Sequence, residues 1–288
     1  MHNLSRRIIC FALTVVLAIS GLAGCGGQTE STTQTEGPST AAELAEMYVE
    51  TAGARSYHFE GKGEFSLNIM DQSLPMRVVI GGDYVDGNTH LTLGMEYMSE
   101  LSVQEMYIAR EGDSYIKYVS SKIDDKTQWE KTPIGSNPLN VLSSKELLSA
   151  GEFSKDGDGY AVTLTGMQVM DAMMRSDKDL ENALKDVSTA DLQKSLEDCK
   201  VVFAFDKAAN NTSWSLSYEY VPNGPGSQII KTSYTASANV KVAGHGKIDA
   251  SKVALPESVK SSAVDATVAS PDVFQKILTT ITGSQSDS

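Results

Sequence analysis

The sequence predicts an α+β domain in which an antiparallel sheet is covered by helices or curls on itself. Three observations predict it. Residues 56–69 alternate apolar and polar at period two over a long run, the pattern of a strand with one wet face. Further alternating stretches follow, separated by tight-turn residues, so consecutive strands pair antiparallel. A sheet of that size must bury its apolar face, and the stretches 40–51, 138–148, 167–175 and 188–198 have helical spacing.

Thr40 and Glu43 form a capping box that opens the first helix. Leu44, Met47 and Tyr48 then make one apolar stripe, and Gly53 is its stop. In the first strand Tyr57, Phe59, Phe65, Leu67 and Ile69 hold odd positions, and His58, Glu60, Lys62 and Glu64 hold even ones. Gly61 and Gly63 leave a gap in the apolar row; either the strand bends there or another group approaches the backbone. Met76, Val78, Ile80 and Tyr84 alternate next, and Asp86-Gly87-Asn88 turns. Leu91, Leu93, Met95 and Tyr97 alternate again. Residues 104–109 and 114–119 form a hairpin across Glu111-Gly112-Asp113, and 128–131 a short closing strand.

Asn137-Pro138 opens a short helix that runs through Leu148 to Gly151. Residues 152–155 and 160–165 form a hairpin across Asp156-Gly157-Asp158-Gly159. Helices over 167–175 and 188–198 precede three strands, 200–206, 213–221 and 228–242. Asn210-Asn211 and the segment Pro222 to Gly226 supply the turns between those strands. Beyond Leu255-Pro256 the chain reads as polar until residues 271–281, an amphipathic helical pattern.

Upstream of residue 40 the chain reads as an export signal. Arg6 and Arg7 precede an apolar run from Ile8 to Ile19, too short to span a bilayer, which takes about 20 residues. Leu22-Ala23-Gly24 leads directly into Cys25, a bacterial lipobox. The motif implies cleavage before Cys25 and a diacylglycerol thioether on it, and two acyl chains of the palmitate type suffice for stable attachment. Residues 26–39 hold no large apolar side chain and read as a tether with an end-to-end span of roughly 20 Å. The expected organisation is a signal over 1–24, a lipidated tether over 25–39, a β-rich domain over 40–260 and a polar extension over 261–288.

Losing Arg6 and Arg7 with residues 1–24 takes the formal charge from −13 to −15. That balance excludes nucleic acid as a partner, which demands basic patches, and argues against adhesion to anionic lipid heads. Of the three cysteines, Cys10 leaves with the signal and Cys25 carries lipid. Cys199 is left alone, expected as a buried, inert thiol, and no intrachain disulfide forms. His58, His90 and His245 stand at no metal-ligand spacing, and no nucleophile motif such as G-x-S-x-G occurs. Residues 156–159 start like a calcium loop but lack its later ligands. Glu96, Glu100 and Glu105 are candidate paired carboxylates, but spacing alone does not place them together, and solvated strand-edge charges are the default reading. Met167, Met170 and Met174, with Met173 beside them, form a stripe that either packs on the sheet or lines a cavity for apolar ligands.

The layout of lipobox, polar tether, helix, a strand opening Ser56-Tyr57-His58-Phe59, a meander through Tyr115-Ile116-Lys117 to Trp129-Glu130-Lys131, and a late Leu255-Pro256-Glu257 resembles the LolA/LppX-like lipoproteins over roughly residues 40–260. The resemblance implies a curved antiparallel sheet, half of a barrel, with helices on its concave face. It also implies that several relatives carry lipid or lipoprotein acyl chains between sheet and helices.

The expected function is a non-enzymatic lipoprotein, held by Cys25 on the extracytoplasmic face of the cell membrane, that binds an apolar ligand and needs no cofactor. The candidate ligand-facing residues are Tyr57, Phe59, Phe65, Leu67, Met76, Val78, Leu91, Leu93, Met167, Met170 and Met174. The alternatives are an envelope scaffold with a filled core and a hydrolase of envelope polymers.

Overall fold

The computed structural model describes residues 37–51, 55–69, 72–97, 100–123, 126–142, 144–176, 190–220 and 232–265. The lipobox, Cys25 and most of the tether lie outside them, as do Gly53, Ser188, the turn 222–226 and residues 271–281.

Helix α1 (Ala41–Glu50) starts where expected. Thr40 caps it, its hydroxyl accepting from the Glu43 backbone N–H at 3.2 Å. The Glu43 carboxylate reaches back one residue further than the expected box, accepting from the Ser39 backbone N–H at 2.7 Å. Six strands follow: β1 (Ser56–Ile69), β2 (Gln72–Val85), β3 (Asn88–Tyr97), β4 (Glu100–Glu111), β5 (Ser114–Ile123) and β6 (Lys126–Ile134). Positive φ at Asp86 and Gly87 marks the turn between β2 and β3, whose right-handed twist matches the flanking strands.

The helix expected over 138–148 is two, α2 (Pro138–Leu142) and α3 (Lys145–Ser149). Ser144 interrupts it by capping α3, its hydroxyl accepting from Leu147 N–H. Asn137 is fully buried and ties α2 to the sheet. Its amide donates to the Gly87 carbonyl and to Thr89 Oγ1, and its side-chain oxygen accepts from Leu139 N–H. Hairpin β7 (Glu152–Asp156) and β8 (Gly159–Thr165) leads to α4 (Gly166–Ser176) and α5 (Ala190–Asp198). Strands β9 (Lys200–Phe205), β10 (Asn211–Tyr220) and β11 (Thr232–Ala243) come next. A 3₁₀ turn over Ala250–Val253, a short helix α6 (Glu257–Ser262) and a two-residue strand β12 (Val264–Asp265) end the described chain. The polar reading beyond Pro256 missed α6, because only Val259 of its six residues is buried.

All twelve strands form one sheet, in the order β12-β6-β5-β4-β3-β2-β1-β11-β10-β9-β8-β7. The sheet is open: β12 and β7 are its two edges. Every pairing is antiparallel except β12 with β6. Strand β1 sits near the middle, between β2 and β11, which are adjacent to it in space but far apart in sequence.

The register explains the core. One row across the sheet runs Val162, Phe203, Trp214, Val240, Gly61, Ile80, Leu93. The next runs Leu164, Val201, Leu216, Ala238, Gly63, Val78, Met95. Residues of α1 to α5 join these in a single apolar cluster, among them Leu44, Leu139, Leu148, Met170 and Leu196. Tyr48 of α1 meets Phe205 edge-on at 5.3 Å between ring centroids.

A Cβ on Gly61 would stand 2.5 Å from Val240 Cγ2 and 3.1 Å from Ile80 Cγ2. The gap expected at this glycine is therefore filled by its cross-strand neighbours. Gly61→Val is expected to lower stability by about 1–3 kcal/mol through overpacking. Urea unfolding measures it, and an unchanged midpoint and slope would contradict this packing.

Candidate functional site

Two faces of the sheet offer chemistry. The apolar face carries the expected ligand-facing residues, and the register brings them together. Phe65 stands opposite Met76, Gly63 opposite Val78, and Phe59 lies two positions along β1 from Gly61, whose row ends at Leu93. Tyr57, Phe59, Phe65, Met76, Val78, Leu91, Leu93 and Met170 are buried in the main cluster, and Met167 and Met174 pack against it half-buried. The buried methionines of α4 are Met170 and Met173, with Val169 and Ala172. Leu67 holds the next odd position of β1, its backbone opposite Leu74 and Tyr234.

This face has two unlike ends. At the first, Tyr57 stacks on Tyr84 at 4.9 Å and meets Trp214 edge-on at 6.4 Å. Tyr57, Phe59, Tyr84 and Trp214 are all 0 % exposed, so no water-sized space touches them. Hydrogen bonds seal this end: Tyr84 donates to Asn140 Oδ1, and Asn140 donates to the Tyr115 hydroxyl, both at 2.9 Å. Burial pushes the Tyr57 phenol well above its ordinary pKa. Towards the other end lie Gly63 and its partner Ala238. Both are half-buried, although Leu216 and Val78 beside them are buried. Ala236, Phe65 and Met76 continue the row beyond. Gly63, Ala238 and Ala236 make a run of small residues on this face, half-buried at Gly63 and Ala238 and buried at Ala236. Gly63 itself is constrained by proximity: a Cβ there would stand 3.3 Å from Ala238 Cβ.

The opposite face is polar. His58, Asp83, His90, Tyr107, Tyr118 and Lys131 form one row by register across β1 to β6. His58 Nδ1 lies 2.9 Å from Asp83 Oδ1 and its Nε2 lies 3.1 Å from Glu60 Oε1. Burial alone would lower the His58 pKa, but the hydrogen bonds to Asp83 and Glu60 outweigh it and raise the value. His90 Nε2 lies 2.7 Å from Glu105 Oε1 and stacks on Tyr107 at 4.2 Å. Tyr107 donates to the same carboxylate at 3.0 Å, and burial with the Glu105 charge pushes its phenol up to about 12. These contacts close on one another: His58, His90 and Tyr107 each meet a carboxylate of the same face, from this row or the neighbouring one.

The three strand carboxylates do not converge. Glu96 pairs with Arg77 at 3.8 Å, Glu105 holds His90 and Tyr107, and Glu100 stands opposite Tyr97 in the backbone register. The hairpin Asp156-Gly157-Asp158-Gly159 turns with positive φ at Gly157, and Asp158 pairs with Lys207 at 3.1 Å. Among the described residues no group of three or more His, Cys, Asp and Glu side chains is placed to hold a metal ion. Cys199 is buried, and burial pushes its thiol up to about 12, which leaves it protonated and inert at neutral pH.

A second, small apolar cluster lies on the polar face, where Val259 of α6 packs on Tyr107 and Tyr118. Beside it a cleft of about 460 Å³ opens between residues 250–260 and the ends of β2 and β4. Its wall is charged, with Asp86, Arg110, Glu111, Glu257 and Lys260, and Lys260 binds Glu111 at 3.1 Å. Val85, Ala109, Val253 and Leu255 supply the apolar part of the same wall. The pattern of the sequence did not mark this cleft, because the chain beyond Pro256 reads as a polar run until α6 is seen.

No protein-family model matches this chain, and no curated protein matches it either.

The raised His58 pKa has a definite sign. Folding favours the imidazolium, so its stabilisation is fully present below about pH 6.5, the unfolded value, and is lost as pH rises through the higher folded value. The stability difference between wild type and His58→Gln is therefore expected to be larger at pH 6 than at pH 9. Denaturant unfolding at both pH values measures it; an equal or reversed difference would contradict the Asp83–His58–Glu60 arrangement.

Proposed function

We propose that this chain is a membrane-anchored bacterial lipoprotein, similar in layout to the LolA/LppX-like group, that holds an apolar chain against the inner face of a curved half-barrel. Cys25 carries the lipid anchor, and the domain works on the extracytoplasmic face of the cell membrane without catalysis or cofactor. The observation that carries this reading is the half-buried small-residue stretch at Gly63 and Ala238. It interrupts rows of larger apolar residues such as Leu216, Val78 and Met95, which are buried. A long alkyl group laid there would remove apolar surface from water, worth about 25 cal/mol per Å² before the costs of ordering. Met167 and Met174, half-buried on the same cluster, supply adaptable side chains that suit ligands of varied length. Tyr57, Phe59, Tyr84 and Trp214 act in this reading as a fixed floor, against which the chain end stops.

A second reading is an envelope scaffold with a filled core. The fully buried aromatic group at Tyr57, Phe59 and Trp214 favours it, because that half of the face has no room for a guest.

The two readings separate in native mass spectrometry of the full chain released from mild detergent. The carrier reading predicts a bound species of defined lipid mass in addition to the anchor, lost in Ala238→Phe, which fills the stretch, and kept in Val79→Ala on the other face. An unliganded mass for wild type that takes up no added fatty acid would leave the scaffold reading standing.

A further inference from the structure

The polar face holds a feature that the ligand site does not use. Val79, Leu101 and Val103 point to solvent there, 56 %, 66 % and 53 % exposed. They are one patch: Val79 stands opposite Gly94, and Gly94 opposite Val103. Its floor is made by two glycines, Gly94 and its diagonal neighbour Gly81 on β2, which have no steric reason to be glycine. A Cβ on Gly94 would meet nothing nearer than Leu101 Cδ1 at 3.6 Å, and one on Gly81 nothing nearer than the Phe59 carbonyl at 3.8 Å. Neither has a positive φ. Glycine in a strand interior weakens it, and where packing does not demand it, it marks a place another element approaches closely. The rim carries both signs of charge, with Lys62 beside Val79 and the pair Arg77–Glu96 beside Leu101.

We propose that residues 271–281 of this same chain dock on this patch as an amphipathic helix. Val273, Phe274, Ile277, Leu278 and Ile281 recur at helical spacing and give one apolar stripe, with Asp272 and Lys276 off it. The chain leaves the described structure on the correct side. Helix α6 already lies on the polar face over Tyr107 and Tyr118, and β12 ends at Asp265 beside Lys131. From Asp265 the patch is three strand spacings across, about 14 Å, and four residues along, about 13 Å, a diagonal of about 20 Å. The eight steps to Val273 span at most about 26 Å, enough to turn back and reach it. A helix of eleven residues is about 16 Å long, enough to cross the patch over β2 to β4, two strand spacings or about 10 Å. A second copy of the chain fits less well, because three side chains and two glycines fall far short of the about 800 Å² per partner that a stable dimer buries.

Limited trypsin digestion of the full chain in mild detergent tests this at Lys276, the one lysine or arginine in residues 266–288. Docking protects that bond, and placing a charge in the patch releases it. Leu101→Asp and Val103→Asp are each expected to speed cleavage after Lys276 at least tenfold. Ser217→Asp, exposed on the same face but on β10, three strands beyond β2, is expected to leave the rate unchanged. Equal rates in wild type, Leu101→Asp and Val103→Asp overturn the proposal. A dimer that dissociates in the variants with no change at Lys276 also overturns it, and puts a second copy on the patch.

Discussion

Everything in this fold depends on the register of β1. It is bonded along most of its length to β2 on one side and β11 on the other, so it fixes which residues of both share a face. The side-chain period of a strand is two, and a slip of one residue would turn Tyr57, Phe59 and Phe65 to solvent and His58, Glu60 and Lys62 inward. Burying those charges unpaired would cost far more than the hydrogen bonds of the ladder could return. The alternation in residues 56–69 therefore specifies the register from within the strand, and the rest of the sheet is built outward from it.

From that strand the two faces acquire different characters. Inward rows grow from Gly61 and Gly63, and their difference is a matter of neighbours. At Gly61 the branched Val240 and Ile80 close over the backbone. At Gly63 the partner is Ala238, and both residues stay half-buried although a Cβ on Gly63 would stand 3.0 Å from the Ser237 carbonyl oxygen. The same residue type two positions apart thus stands in a sealed core at one point and among half-buried small residues at the next. The outward rows pair imidazoles and a phenol with carboxylates, which satisfies these polar groups on the face itself.

Much of this was legible in sequence. The bounds of β1, the Asp86-Gly87 and Gly112 turns, the Thr40 cap and the buried Cys199 follow from alternation, turn chemistry and composition. What was not legible is instructive. The pairing of β1 with β11 joins residues some 180 apart in sequence, and periodicity inside each strand carries no information about a distant partner. Helix α6 escaped because one buried valine among serines, glutamate and lysine makes no stripe. Ser144 splits one expected helix into two by a local capping bond that competes with continuation. Gly61 looked like a gap because the sequence shows the missing side chain and not the valine that fills its place. The exposed patch was hidden inside Arg77-Val78-Val79-Ile80, where both faces are apolar and alternation gives no sign.

The central claim is that the inner face is closed at its aromatic end and open to an apolar chain at Gly63 and Ala238. Methyl-labelled alanine and methionine in the full chain would report it by nuclear magnetic resonance during titration with a long-chain fatty acid. The account predicts saturable shifts, and contacts from the alkyl chain, at Ala236, Ala238 and the methionines of α4, with Ala45, fully buried in α1, unmoved. Shifts confined to the polar face, or none at Ala238 at saturating fatty acid, would contradict it.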